Sequence, residues 1–249
     1  MDNVFQLKDK LYIITGASSG LGREACKFLD LLGAKVIGIA RREERLKELQ
    51  DECKNFDYKV YDFINQEGIK ELVDSIVSEY GKVSGMAYFA GVSDISALRS
   101  LNMQEAKKVF DINFFSALEL IKNLYDKRKS QDLSIVLISS GSQLQSISSM
   151  SVYDSSKGAL NALVVSLVKD LAKFGGRINS ILPAHVETEM TAKAQEIRSE
   201  EYNQELERTY PLGIGNCSDV ANLTAFLLSP LSRWITGQKI SIDGGRGVY

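Results

Sequence analysis

Short apolar runs alternate with longer amphipathic stretches along the whole chain. The runs at 11–15, 35–40, 58–61, 86–90, 135–139, 178–182 and 239–242 are rich in Ile, Val and Tyr. Several are apolar throughout, as a parallel strand covered on both faces requires. Between them, apolar residues fall at three- and four-residue steps. Ile69, Leu72, Val73, Ile76, Val77 and Tyr80 form one such series, and Leu160, Leu163, Val164, Leu167, Val168 and Leu171 another. That spacing lays an apolar stripe along one side of a helix. Strand–helix alternation predicts an α/β fold, a doubly wound three-layer sandwich around a mainly seven-stranded parallel sheet.

No linker, repeat or low-complexity tract divides the chain, so residues 1–249 read as one domain. The rhythm breaks at 187–210, a polar, helix-prone stretch followed by Pro211-Leu212-Gly213. Placed after a strand end, it is expected to cover substrate. A plain surface helix pair is the alternative.

Composition narrows the function classes. A net charge of −2 offers no pull toward nucleic acid or an anionic membrane surface, so neither is expected as a partner. Residues 1–10 mix charged and apolar side chains and read as no secretion leader; no apolar stretch is long enough to span a bilayer. Cys26, Cys53 and Cys217 form no metal-type pair and read as reduced thiols of a cytoplasmic protein. The single histidine, His185, leaves a Ser-His-Asp hydrolase or a zinc site poorly supplied, so no metal is expected.

Two regions carry chemistry. Thr15-Gly16-Ala17-Ser18-Ser19-Gly20-Leu21-Gly22 joins the first strand to the first helix. Its glycines allow a tight turn and close approach to a ligand, and the helix start offers free N–H groups to a pyrophosphate, as in Rossmann-type nucleotide sites. The second strand ends Ala40-Arg41-Arg42, with no acidic residue for a ribose 2′-hydroxyl. Arg41 suits a 2′-phosphate, so NADP(H) is expected ahead of NAD(H). A solvated helix start is the bland alternative for both arginines. Asp62, after the third strand, is placed either for the adenine amino group or as a helix cap.

The second region holds Tyr153 and Lys157, four residues apart and therefore on one helix face. A lysine beside a tyrosine favours the phenolate and is expected to lower the phenol pKa, making an acid/base. Ser140 closes the fifth strand, where open α/β sheets place ligands, although Ser139 and Ser142 compete for its role. Asn113 sits within the apolar helical series Ala106, Val109, Phe110, Ala117, Leu120, Ile121 and Leu124. It is either a satisfied core amide or marks a local opening of the helix whose carbonyl holds a relay water.

Together with Ala90-Gly91 and the stretch from Pro183 to Thr188, these motifs resemble the short-chain dehydrogenase/reductase superfamily over essentially the full chain. Val186-Glu187-Thr188-Glu189-Met190-Thr191, Ile235-Thr236-Gly237 and Asp243-Gly244-Gly245 look most like its 3-oxoacyl-carrier-protein reductase branch. The resemblance implies an enzyme interconverting a carbonyl and a secondary alcohol. It assigns catalysis to Asn113, Ser140, Tyr153 and Lys157. It assigns the cofactor to Gly16, Ser18, Ser19, Gly20, Leu21, Arg41, Asp62, Phe63, Ala90, Gly91, Val186 and Thr188, along with Tyr153 and Lys157. It also implies pairing of long central helices, around 102–128 and 151–174, into homodimers or homotetramers. Two departures stand out: Tyr88-Phe89-Ala90-Gly91 where the family has N-N-A-G, and Pro183-Ala184 where it has P-G. The first puts the packing beside the cofactor in question.

For a carrier-bound substrate, Lys127, Arg128, Lys129, Lys173 and Arg177 are candidate docking residues. A sugar nucleotide, polyol or small ketone is the alternative substrate, and a non-catalytic nucleotide-binding regulator the alternative class.

Overall fold

Seven parallel strands build the sheet: β1 (Leu11–Thr15), β2 (Lys35–Ala40), β3 (Phe56–Val60), β4 (Val83–Tyr88), β5 (Ser130–Ile138), β6 (Arg177–Pro183) and β7 (Lys239–Ile242). Their order is β3-β2-β1-β4-β5-β6-β7. The structure is a computed structural model and describes residues 4–144, 147–188, 201, 206 and 208–248. Most of the predicted covering segment, 187–210, therefore lies outside the described residues.

Alternate strand residues face opposite layers, because successive β-carbons point to opposite sides. Tyr12 and Ile14 pack toward α1 (Gly20–Leu31), α2 (Glu43–Glu52) and α8 (Cys217–Leu228). Leu11 and Ile13 pack toward α3 (Ile69–Tyr80), α5 (Ser116–Leu124) and α6 (Ser151–Ser166). Both layers are closed by fully buried Ile, Leu and Val, so the doubly wound sandwich expected from the alternation is the observed fold.

Four strands are displaced from their expected limits. β4 runs 83–88 rather than 86–90, and β5 begins at Ser130 rather than 135. Ser84 and Gly85 hid the start of β4, yet Gly85 is needed there: a β-carbon would meet the Ser134 carbonyl oxygen at 2.6 Å. β3 starts two residues early at Phe56, whose ring fills the space above Gly38. β6 gains Arg177 and Pro183.

The expected helix over 102–128 is three pieces. α4 (Met103–Phe110) and α5 are joined by a π-helical turn over Asp111–Phe115. The wider turn breaks the regular ladder, and side chains take up the loosened carbonyls. Gln66 and Ser116 donate to the Asp111 carbonyl. The Tyr88 hydroxyl donates to the Ile112 carbonyl at 2.6 Å. Tyr88 is fully buried, so the residue standing where the family has an amide braces the sheet against this turn by another route. The expected helix over 151–174 likewise divides into α6 and α7 (Val168–Lys173).

Tyr88→Phe removes that brace and leaves the carbonyl of half-buried Ile112 without its donor. Urea unfolding should show a loss of about 1–3 kcal/mol. A change within error would mean that the Ile112 carbonyl has another donor.

Candidate active site

The strand order reverses between β1 and β4, and the site is built where the chain leaves those two strands. Thr15 Oγ1 accepts the Ala90 N–H at 2.9 Å, locking the two strand ends together. Gly16 has φ 68°, and a β-carbon there would sit 3.0 Å from the Ala90 nitrogen. A β-carbon on Gly22 would sit 2.5 Å from the Gly16 oxygen. The turn can thus lie flat against the loop after β4 only without side chains at these points. α1 then starts at Gly20, preceded by Ser19, whose side chain makes no capping bond. Its first N–H groups remain open to an anion.

A cavity of about 650 Å³ extends from this turn to the end of β5. Its wall includes every predicted site residue except Asn113. Thr188 closes over the turn: its methyl lies 3.5 Å from where a Gly20 β-carbon would be. Val186 is buried and bridges to Gly215, which holds the loop after β6 in place. Phe63 reaches the cavity from a ring that belongs to the core, edge-on to Tyr61 and Tyr88. Asp62 is no helix cap. Its Oδ1 accepts the Ile64 N–H at 3.1 Å, and its Oδ2 lies 3.8 Å from Arg41.

The two arginines before α2 are placed differently, and both line the cavity. Arg41 is largely exposed. It is Arg42 that folds over the glycine-rich turn, donating to Ser18 Oγ at 3.1 Å and Ser19 Oγ at 2.5 Å. Sequence reasoning weighed both residues but chose the one nearer the strand end.

At the other end, α6 presents Tyr153 and Lys157 beside Ser140. Lys157 is buried and donates from Nζ to the Ile138 carbonyl at 2.8 Å. Ser139 does not compete with Ser140, because its hydroxyl donates to the Lys157 carbonyl at 2.8 Å. Ser142 does not displace Ser140 either; it hydrogen-bonds to it at 2.7 Å. Asn113 is buried behind the wall. Its amide donates to the Val92 carbonyl and Ser156 Oγ, and its oxygen accepts the Val92 N–H. The side chain is a satisfied core amide, and it stands inside the helix opening predicted as the alternative. Ser156 in turn donates to the Tyr153 carbonyl at 2.7 Å, joining the π-turn to the turn of α6 that carries Tyr153.

The expected lowering of the Tyr153 pKa is not what this geometry produces. Burial pushes the phenol up, the Ser140 hydroxyl pulls it back, and the Asp154 carboxylate adds to the rise. The Lys157 ammonium is 5.8 Å from the Tyr153 ring centre and is turned to a carbonyl. Burial brings Lys157 itself down to about 8.

The candidate carrier-docking residues are on the wrong side. Lys127, Arg128 and Lys129 precede β5, whereas Ser140 follows its far end, and the strand between is nine residues long. At roughly 3.3 Å per residue that is about 30 Å. Lys173 and Arg177 sit at the same edge, before and at the start of β6. Arg177 is also spent internally, donating to the Leu227 and Ser229 carbonyls. Sequence reasoning passed over Asp154 and Ser156; the run Tyr153-Asp154-Ser155-Ser156-Lys157 held both in view.

A glycine-rich turn at the switch point of a parallel sheet, with Ser, Tyr and Lys gathered at the adjoining strand end, defines a dinucleotide-type oxidoreductase site. The comparisons place the chain further. The family described as enoyl-(acyl carrier protein) reductase matches residues 16–246. The 3-oxoacyl-[acyl-carrier-protein] reductase FabG of Rickettsia prowazekii is 33% identical over 97% of this chain and 98% of its own. A tropinone reductase homolog of Arabidopsis thaliana is 32% identical over 94% of this chain and 88% of its own. The aldohexose dehydrogenase structure of Thermoplasma acidophilum superposes with a TM-score of 0.86, at 30% identity, covering 99% of this chain and 97% of that one. The chain belongs to the short-chain dehydrogenase/reductase family and is an NAD(P)-dependent oxidoreductase related to the 3-oxoacyl-carrier-protein reductases. Among the described residues, no helix is long and apolar enough to cross a membrane.

Lys157 makes stability depend on pH. Its folded pKa is depressed to about 8 from the ordinary lysine value of 10.5. Below both values the buried ammonium is a full penalty. Between them the unfolded chain holds a proton that the folded chain has released, so stability rises with pH. Relative to Lys157→Met, the wild type should gain up to about 3 kcal/mol between pH 7 and pH 10.5, read by urea unfolding. A flat or falling difference would contradict a buried ammonium.

Proposed function

We propose that the chain interconverts a carbonyl and a secondary alcohol with NADP(H), as a ketoreductase of the 3-oxoacyl-carrier-protein reductase kind. The observation that carries this is a single cavity with the glycine-rich turn at one end and Ser140, Tyr153 and Lys157 at the other. The turn fits a dinucleotide, since Gly16 and Gly22 let it lie close against neighbouring backbone and the first N–H groups of α1 stay open to a pyrophosphate. When bound, the nicotinamide nucleotide supplies or accepts the hydride.

In this reading Gly16, Ser18, Ser19, Gly20 and Leu21 hold the pyrophosphate. Asp62, Phe63, Ala90 and Gly91 flank the adenosine, and Arg42 with Arg41 receives the 2′-phosphate. Val186 and Thr188 hold the nicotinamide amide. Tyr153 gives a proton to the carbonyl oxygen, or takes one from the alcohol. Ser140 orients that oxygen. Lys157 holds the ribose and offsets part of the burial penalty on the phenolate. Asn113 fixes the π-turn that would hold a relay water. We read the protein as cytoplasmic.

We further propose a homodimer or homotetramer. The groove between α4 and α6 supports this, with Met103, Phe110 and Phe115 exposed or half-buried beside Val152. A small ketone or sugar is the second substrate reading. It is favoured by the far-edge position of Lys127, Arg128, Lys129, Lys173 and Arg177.

A panel of a 3-oxoacyl thioester, tropinone, an aldohexose and a simple aldehyde, followed by NADPH oxidation, tests the reading. Turnover of at least one carbonyl is expected, and the preferred one separates the two substrate classes. Tight NADPH binding without any turnover would instead favour a regulator. Tyr153→Phe should cost about 100-fold or more in kcat while NADPH binding stays near wild type. A near-normal rate would remove Tyr153 from the acid role. Arg42→Ala should raise the Kd for NADPH about tenfold or more with little effect on NADH, since a charge-assisted phosphate contact is lost. Equal effects on both nucleotides would mean that Arg42 does not read the 2′-phosphate.

A further inference from the structure

The chain after β7 reaches back to the wall of the cavity. Asp243 orders it, its carboxylate accepting the Gly245 and Gly247 N–H groups at 3.0 Å. Arg246 is thereby brought onto Tyr210. Its Nη1 donates to the phenol oxygen at 2.5 Å, and its guanidinium carbon lies 4.9 Å from the ring centre. Tyr210 is buried, and its oxygen also accepts the His185 N–H at 3.1 Å. One phenol oxygen therefore holds an arginine on one side and the backbone of the loop after β6 on the other.

The two ends of that loop face different parts of the cavity. A β-carbon on Gly141, the residue after Ser140, would lie 3.3 Å from the Pro183 oxygen and 3.5 Å from the Ala184 α-carbon. Ala184 and His185 thus stand in the wall at the reacting end. Thr188, at the other end, lies over the glycine-rich turn. The two ends are also held differently. Val186 bridges to Gly215, and the Glu187 N–H donates to the Gly215 carbonyl at 2.9 Å. The Gly215 N–H reaches the His185 carbonyl at 3.3 Å, so the shorter hold on His185 is the one from Tyr210.

We propose that Tyr210 and Arg246 are positioning residues for the substrate. The phenol oxygen, itself fixed by the guanidinium, sets where Ala184 and His185 stand beside Ser140 and Tyr153. This rests on the cavity being a carbonyl-reductase site. Tyr210 and Arg246 act through the His185 backbone and touch no reacting atom. Loosening that backbone changes the fit around the part of the substrate that does not react. Such a fit is lost equally from the ground state and the transition state, so KM rises while kcat changes little. The nucleotide, held by the turn and the Thr188 end, is bound as before.

Two measurements on the full chain test this. The first needs no substrate. Amide hydrogen exchange over residues 183–188, read by mass spectrometry, reports the hold on the loop. Tyr210→Phe keeps the ring beside Arg246 and removes the phenol oxygen. Exchange in that stretch should quicken while β5 stays as in the wild type. Arg246→Ala keeps the oxygen but releases it, and should quicken exchange in the same stretch. Unchanged exchange in either variant would overturn the clamp.

The second measurement uses NADPH with whichever panel carbonyl turns over best. Each single variant should raise KM about fivefold or more, the worth of one hydrogen bond, with kcat and the Kd for NADPH near wild type. The double variant should be no worse than Tyr210→Phe, because Arg246 acts through an oxygen already missing. An unchanged KM would overturn the proposal. So would a Kd for NADPH that rises as far as KM, the mark of a loop loosened throughout. Losses that multiply in the double variant would overturn the assigned route from Arg246 through Tyr210. If no carbonyl turns over in the wild type, it is the reductase reading that fails. If the wild type turns over and both variants match it, only this proposal fails.

Discussion

A buried ammonium is the constraint on which the site depends. Lys157 gives up its hydration to lie between α6 and the end of β5, where its ammonium donates to the Ile138 carbonyl. One neutral acceptor recovers only part of the cost of burying a charge, which is why its pKa falls. The surroundings are built to hold it there. Ser139 clamps the Lys157 carbonyl from the strand side, and Ser156 carries the same helix to Asn113. Asn113 in turn grips both backbone groups of Val92, on the loop after β4. Through these bonds the position of one lysine is transmitted to α5, β4 and β5. Tyr153 and Lys157 are thus tied to the sheet by hydrogen bonds from β5 and from the π-turn.

The fold was legible because a doubly covered parallel sheet writes itself plainly. β1, β2 and β7 fall at their expected limits, since each is apolar or turn-bounded at both ends. The limits failed where burial is achieved without apolar side chains. Ser84 and Gly85 at the start of β4, and Ser130 and Ser134 in β5, are buried by backbone closeness and by hydrogen bonds to carbonyls. Periodicity has no means of reading such positions.

The site shows the same division. Residues whose role is backbone geometry, such as Gly16, or helical phase, such as Tyr153 and Lys157, were found from spacing. Those whose role is a contact between distant segments were not separable in sequence. Arg42 and Arg41 look equivalent on paper; the start of α2 turns one toward Ser18 and Ser19 and leaves the other near Asp62. The basic residues before β5 and β6 failed for a topological reason. In a parallel sheet every strand start lies at the edge away from the site, so charges there cannot meet a substrate that enters beside Ser140.

Tyr153 consequently stands between opposed influences. Burial and the Asp154 charge hold it protonated, while the Ser140 hydroxyl opposes them. On the far side Lys157 offers a cation whose own charge is weakened by burial near pH 8. A phenol held firmly protonated would serve only as an acid, and one fully ionised only as a base. Reversible hydride chemistry needs both forms within reach at one pH. In the proposed role of Tyr153, a buried ammonium on one side and the Asp154 carboxylate on the other meet that need. Neither charge has to touch the reacting oxygen, and the position beside Tyr153 is left for substrate.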